Sequence, residues 1–215
     1  MFVEGTLRWQ VTEDCPWDLL MALALRDLAG LTAVERPAIP RVFPPVVHVM
    51  HPASGSHPLP RPTVQGHAST PDRAARADQW RAWWEFSLQR ERRPIVSQLR
   101  PPHFEVFDRA IELQDLVTEH YEEALAWTVE RHAEYARLSL LQHSRRAADI
   151  VDVVRDREHE LRRQAGYFRL DIYVLPLAEP GAWIVAPHTV VVSTSLRDDS
   201  VAFRDWFAPV IAALV

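Results

Sequence analysis

Residues 167–177 read YFRLDIYVLPL. Phe168, Leu170, Ile172 and Val174 alternate with Arg169, Asp171 and Tyr173, the period-two pattern of a strand with one face on a core. From about residue 70 to 165 the apolar residues instead recur every three or four positions, as on helices. The change of period near residue 167 therefore separates a helical centre from a strand-bearing end. Beyond it, AEPG (178–181) is a turn, and AWIVAPHTVVVSTSL (182–196) forms one bent strand or two short ones around Pro187. Ser195 with Asp198 resembles the start of a capping box. In the helix that follows, Phe203, Phe207, Val210, Ile211 and Leu214 share a face, and Pro209 kinks or divides it.

Working back from this point, residues 2–11 also alternate, with Val3, Leu7, Trp9 and Val11 on one side, and read as a strand. Asp14-Cys15-Pro16 opens a helix to about Leu28, with Gly30 placed to end it. Its core, LLMALAL (19–25), is apolar nearly all round and predicts burial on several sides. The prolines then cluster from Pro37 to Pro71. A short strand fits Val46–Met50, and residues 51–71 form an irregular Pro/His-rich loop. Thr70-Pro71-Asp72 starts a helix to about Arg92. A second runs from about His103 to Leu141, with Phe104, Phe107, Ile111, Tyr121, Leu125, Val129 and Ala136 as its inner stripe. Glu112, Asp115, Glu119, Glu122 and Glu130 lie on its outer face. A third runs from Ser144 to Ala165. The expected architecture is a single α+β domain over residues 1–215. A helix-rich centre packs against a small, mainly antiparallel C-terminal sheet, to which the N-terminal strand can be added.

The composition narrows the function. The chain has 215 residues, 47% hydrophobic and 25% charged, with a net charge of -5. Such a balance lacks the basic footprint of a nucleic-acid binder. All 24 basic residues are Arg, and Lys and Asn are absent, which fits a GC-rich genome. No lysine is present for a Schiff base or a P-loop. A single cysteine, Cys15, excludes an internal disulfide and any CxxC motif. MFVEGTLRWQ has an acid at position 4 and no long apolar run, so it does not read as a signal peptide. The longest apolar run is too short for a bilayer. A soluble, cytoplasmic setting without membrane contact is expected.

Residues 170–214, LDIYVLPLAEPGAWIVAPHTVVVSTSLRDDSVAFRDWFAPVIAAL, resemble a group of uncharacterised actinobacterial proteins. ARADQWRAWWEFSL (75–88) shares the resemblance more weakly. The likeness extends over residues 166–215 and 72–90 and agrees with the GC-rich composition. It implies no activity, cofactor or catalytic residue.

Several constellations could carry chemistry. His48, His51, His57 and His67 concentrate imidazole in the proline-rich segment, but their spacing matches no zinc motif, and we read the segment as a solvated connector. His159-Glu160 begins like HExxH, yet position 163 is Arg rather than His, which breaks the motif. No GxGxxG, P-loop or GxSxG stretch occurs. Trp80, Trp83 and Trp84 sit within five residues on a helix and read as core anchors rather than as a base- or sugar-stacking platform. His132 falls in the expected inner stripe of the long helix, and Glu158 falls between Val154 and Leu161 on the next. Two inward polar groups on adjacent helices suggest a shared polar contact, either a structural His–Glu pair or a ligand pocket. The sequence therefore points to a non-enzymatic cytoplasmic binding or interaction protein, its partner a protein or a small molecule and homo-oligomer formation open. The alternative is a small-molecule or metal-dependent enzyme using His132 and Glu158. No cofactor is assigned.

Overall fold

The computed structural model describes residues 2–6, 9–31, 36–47, 70–89 and 93–215. These residues form an α+β fold around a five-stranded sheet, with strands β1 (Phe2–Thr6), β2 (Trp9–Asp14), β3 (Phe168–Leu175), β4 (Ala182–Ala186) and β5 (Thr189–Ser193). Their spatial order is β1-β2-β3-β5-β4. The α-helices among the described residues are α1 (Trp17–Leu28), α2 (Thr70–Ser87), α3 (Ile111–Leu141), α4 (His143–Leu161), α5 (Thr194–Asp198) and α6 (Ser200–Leu214). No helix among the described residues is long and apolar enough to cross a membrane.

The sheet is mixed, which corrects the expectation of a mainly antiparallel one. The central strand β3 runs parallel to both its neighbours, and only the two edge pairings are antiparallel. The reason lies in which strand is more apolar. A strand in the middle of a sheet with helices on both faces needs an unbroken apolar run, whereas an edge strand does not. Val190-Val191-Val192 in β5 is buried throughout, while Ile184 of β4 stands 70% exposed. The chain therefore leaves β3, sends β4 to the edge, and turns back at His188 (φ 64°) to lay β5 against β3. From β2 to β3 the connection consists of the whole helical centre, as a parallel pairing requires. The N-terminal strand does join the sheet, as two strands in a hairpin rather than one.

Helices cover both faces. Phe168, Leu170, Ile172 and Val174 of β3, with Trp9 and Val11 of β2, pack on Ile150 and Val154 of α4 and Phe203, Phe207 and Ile211 of α6. Tyr173 and Leu175 face the opposite way, onto α1, α2 and α3. Tyr173 and Asp171 are thus buried too, although the alternation marked them as solvent-facing. Thr12 donates its hydroxyl to Asp171 on that face. Helix α1 lies inside the second layer, its residues 19–25 fully buried as its all-round apolar surface predicts. Gly30, at φ 62°, supplies the left-handed turn that ends it.

The helix limits differ from the sequence pattern in two places. The expected helix from His103 breaks, because Phe104 adopts a left-handed conformation (φ 47°) and a short 3-10 turn, Glu105–Phe107, intervenes before α3. The inward face of α3 is consequently Leu113, Leu116, Val117, Ala124, Trp127 and Thr128. Ile111 and Val129, expected inside, are 61% and 47% exposed. At the C-terminus, Ser193 caps α5 and the Asp199 carboxylate caps α6, rather than Ser195. Pro209 lies within α6 without dividing it. Val46 and Val47 are not in a strand, and residues 48–69, with their four histidines, lie outside the described residues.

Candidate functional site

Ligands of sheets with a parallel core tend to bind beyond the carboxyl ends of the strands, where successive connections diverge. Here those ends are Asp14, Leu175 and Ser193. Two cavities open there, and Cys15 lines both.

The first, about 280 Å³, is walled by Asp14–Asp18, by Phe86, Ser87, Gln89 and Arg93, and by His132 and Tyr173. Its shape comes from two local devices. Asp18 accepts hydrogen bonds from the amides of Ile95 (2.8 Å) and Val96 (2.7 Å), which pins the 94–98 turn to α1. Burial raises the Asp18 pKa and those two amides oppose the rise. On the other side, the His132 ring stacks on Trp17, with centroids 4.3 Å apart and planes 25° from parallel. Burial lowers the His132 pKa, and the nearby Asp14 carboxylate offsets part of that. Cys15 is buried with its thiol pKa raised, chiefly by burial and then by Asp14, which disfavours the thiolate.

The second cavity, about 290 Å³, lies between α3 and the segments following β3 and β5. Arg131, Tyr135 and Leu138 form one wall, Phe43, Pro44, Pro176 and Leu177 another, and Arg146, Thr194, Ser195 and Asp198 the floor. The 41–44 segment is held there by Phe43 N–H donating to the Pro176 carbonyl (2.9 Å) and by Trp127 Nε1–H donating to the Pro44 carbonyl (2.9 Å). Further back, Arg26 donates to the Ile39 and Pro40 carbonyls, both at 2.8 Å.

Behind this floor runs a buried ionic network that pattern reading missed. Glu13 of β2 lies between two guanidinium groups, its carboxylate 2.7 Å from Arg146 Nη1 and 2.7 Å from Arg197 Nε. Arg146 also contacts Asp198 at 2.8 Å, and Arg197 contacts Asp149 at 3.3 Å. Asp149 in turn accepts from Ser200 Oγ (2.9 Å) and Arg204 Nε (2.8 Å). Arg197 stacks over Phe203, 4.0 Å from the ring centre. Burial disfavours the charge on Arg146, but Glu13 and Asp198 outweigh it and raise its pKa above the ordinary guanidinium value. A signal was present in the sequence: Glu13 continues the Trp9–Val11 face inward, and a carboxylate there needs a cation.

The structure does not bring His132 and Glu158 together. His132 belongs to the first cavity, while the Glu158 carboxylate accepts from the Ala165 amide (2.7 Å) and closes the turn after α4. Glu158 also lines a separate open surface hollow with Arg155, His159 and Arg162. The shared phase assumed a helix running unbroken from His103. Trp80, Trp83 and Trp84 are all buried, consistent with core anchors. No group of three or more His, Cys, Asp or Glu among the described residues is placed to hold a metal ion.

His132 carries a pH signature whose sign follows from its environment. Its folded pKa lies below the unfolded value, so between the two the unfolded chain binds more protons and stability rises with pH. The neutral ring's contribution is complete above the ordinary histidine range and is lost as pH falls through the lowered value. His132→Gln should therefore lose less stability than wild type between about pH 7 and pH 5. Urea unfolding of both proteins at the two pH values measures the difference, and parallel losses would contradict this.

Among the described residues, a mixed sheet is covered by helices on both faces, and two cavities lie at the carboxyl ends of its parallel strands. No family model matches the chain, and no curated protein or solved structure matches it significantly.

Proposed function

We propose that this is a cytoplasmic, non-enzymatic protein that binds a small molecule in the cleft at the carboxyl ends of β2, β3 and β5. The observation carrying this reading is the Trp17–His132 stack, which forms a rigid aromatic shelf on the wall of the first cavity beside Asp14. Flat aromatic surface with a few convergent polar groups is what small-molecule sites use. Arg93 and Ser87 supply further polar atoms on the opposite side. The single buried cysteine and the composition support the cytoplasmic part of this reading, and the resemblance over residues 166–215 supports an actinobacterial origin. A second reading uses the same cavity. An imidazole beside a carboxylate is also the arrangement of a general base, so an enzyme acting through His132 and Asp14 is the alternative. Glu158 takes no part in either.

A thermal-shift screen with small aromatic and polar compounds tests the binding reading. A compound at a hundredfold excess over its Kd should raise the melting temperature by roughly 5–10 °C for a chain of this size. His132→Leu should leave the unligated protein within about 1 kcal/mol of wild type, because the ring is only half-buried, and should abolish that shift. A screen with no hits, or hits that move His132→Leu equally, removes the reading. Turnover of a hit by wild type, lost in His132→Leu, would select the enzyme alternative.

A further inference from the structure

The sheet ends at β4, and no strand among the described residues pairs with its outer side. The Ser193 amide donates to the Gly181 carbonyl, in the register that also sets Trp183 against Val191. Hydrogen-bonded and non-hydrogen-bonded positions alternate in an antiparallel pair. Gly181 and Trp183 therefore turn their backbone groups to β5, while Ala182 and Ile184 turn theirs outward. An open edge of this kind is a template for another strand, and charged side chains are the common guard against it. Residues 181–187, GAWIVAP, carry no charge in a chain that is 25% charged. Ile184, at the middle of β4, stands 70% exposed. The bulge after Ile184 shortens the straight edge without covering it.

On the α6 side the edge continues into an apolar groove of about 370 Å³, where Ile184 and Val190 meet Pro209, Val210, Ala213 and Leu214. We infer that the occupant of this edge is a second copy of the chain, its β4 laid antiparallel to the first about a two-fold axis at Ile184. The strand is complementary to itself. Around that axis Ala182 faces Ala186, and Trp183 faces Val185, an aromatic and a β-branched side chain of the kind that pair well across strands. The outward amide and carbonyl of Ile184 meet their own counterparts and form a reciprocal pair of hydrogen bonds. The ends are complementary in charge. Exposed Glu179, before the strand, comes within one position of exposed His188, after it, on the second copy, and the axis makes this contact twice. A strand edge about 17 Å long is small beside the roughly 800 Å² per partner of a standard interface. The groove adds to it, because the two Ile184 side chains lie on the α6 face and settle between the two α6 helices.

Sedimentation of the full chain should show a dimer at about 100 μM that dissociates on dilution toward about 1 μM, as a small interface does. Ile184→Lys places two like charges on the axis and should weaken association by about a hundredfold. Leu140→Lys changes a leucine of α3 that is 80% exposed and distant in sequence from β4, and should leave the dimer intact. Hydrogen exchange of the wild-type chain gives a readout that needs no variant: the Ile184 amide should exchange slowly in the concentrated dimer and fast in the dilute monomer. A chain that stays monomeric at the highest concentration would overturn the assignment, and slow exchange at Ile184 in that monomer would give the edge to a segment of the same chain. A dimer that survives Ile184→Lys, one that is lost in Leu140→Lys, or fast exchange at Ile184 within the dimer would overturn it equally.

Discussion

Glu13→Ala should lower the stability of the protein by about 3–5 kcal/mol, because it leaves two buried guanidinium groups without their shared counter-ion. Glu13 is 1% exposed and Arg146 and Arg197 are fully buried, so water cannot replace the lost carboxylate without opening the layer between β2 and α4. The remaining partners do not suffice. Arg197 would keep the Asp149 carboxylate, at 3.3 Å, and the neutral Arg146 carbonyl; Arg146 would keep the partly exposed Asp198 and the neutral Gln142 side-chain carbonyl. Arg204→Ala provides the contrast. Arg204 also binds Asp149, but it is 39% exposed, so its loss should cost at most about 1 kcal/mol. Replacing Glu13, Arg146 and Arg197 together by apolar residues of similar volume should recover much of the loss, since the desolvation of three ions disappears with them. Urea unfolding at neutral pH measures all of these. A cost for Glu13→Ala no larger than that for Arg204→Ala would show that the network carries no net stability.

How far the sequence was legible depended on whether a local period was interrupted. β3 and α1 could be read directly, because their patterns run unbroken: alternation over 168–174 and an all-round apolar surface over 19–25. Which strands are neighbours was harder. The turn at 178–181 suggests that β4 folds back onto β3, and only the relative burial of Val190–Val192 and Ile184 explains why β5 takes that place. α3 shows the opposite failure. Phe104, in a left-handed conformation, breaks the continuous phase on which the pairing of His132 with Glu158 relied; Ile111 and Val129 lie exposed, while Tyr121 and Leu125 still pack on the core. His132 nevertheless lies at a cavity, through its ring contact with Trp17, a neighbour 115 positions away that no local period could reveal. The ionic network was hidden for the same reason. Glu13, Arg146 and Arg197 come from three distant segments, and a charged residue on an apolar face announces that a partner is needed without naming it.

The cluster Trp80-Trp83-Trp84 gives the other large expected effect. A surface stacking platform would tolerate Trp80→Ala with little loss of stability. Trp80 is instead fully buried, stacked on Trp84 with centroids 5.7 Å apart, and its Nε1–H donates to the Ala22 carbonyl at 2.7 Å. That bond ties α2 to the buried helix α1, so Trp80→Ala should cost about 3–5 kcal/mol through the cavity it leaves. A finer comparison separates packing from polar contact. Trp83 is equally out of solvent, but its buried indole N–H has no acceptor among the described residues. Phenylalanine at either position removes one ring and one donor. At Trp80 the donor is engaged, so the substitution loses a hydrogen bond worth about 1 kcal/mol as well as apolar contact. At Trp83 it relieves an unsatisfied group, which offsets part of the lost packing. Trp80→Phe should therefore destabilise more than Trp83→Phe by about 1–3 kcal/mol in urea unfolding followed by circular dichroism. The reverse order would mean that α2 is held to α1 by apolar packing alone, and that the Trp80–Ala22 bond contributes nothing to the alignment of the two helices.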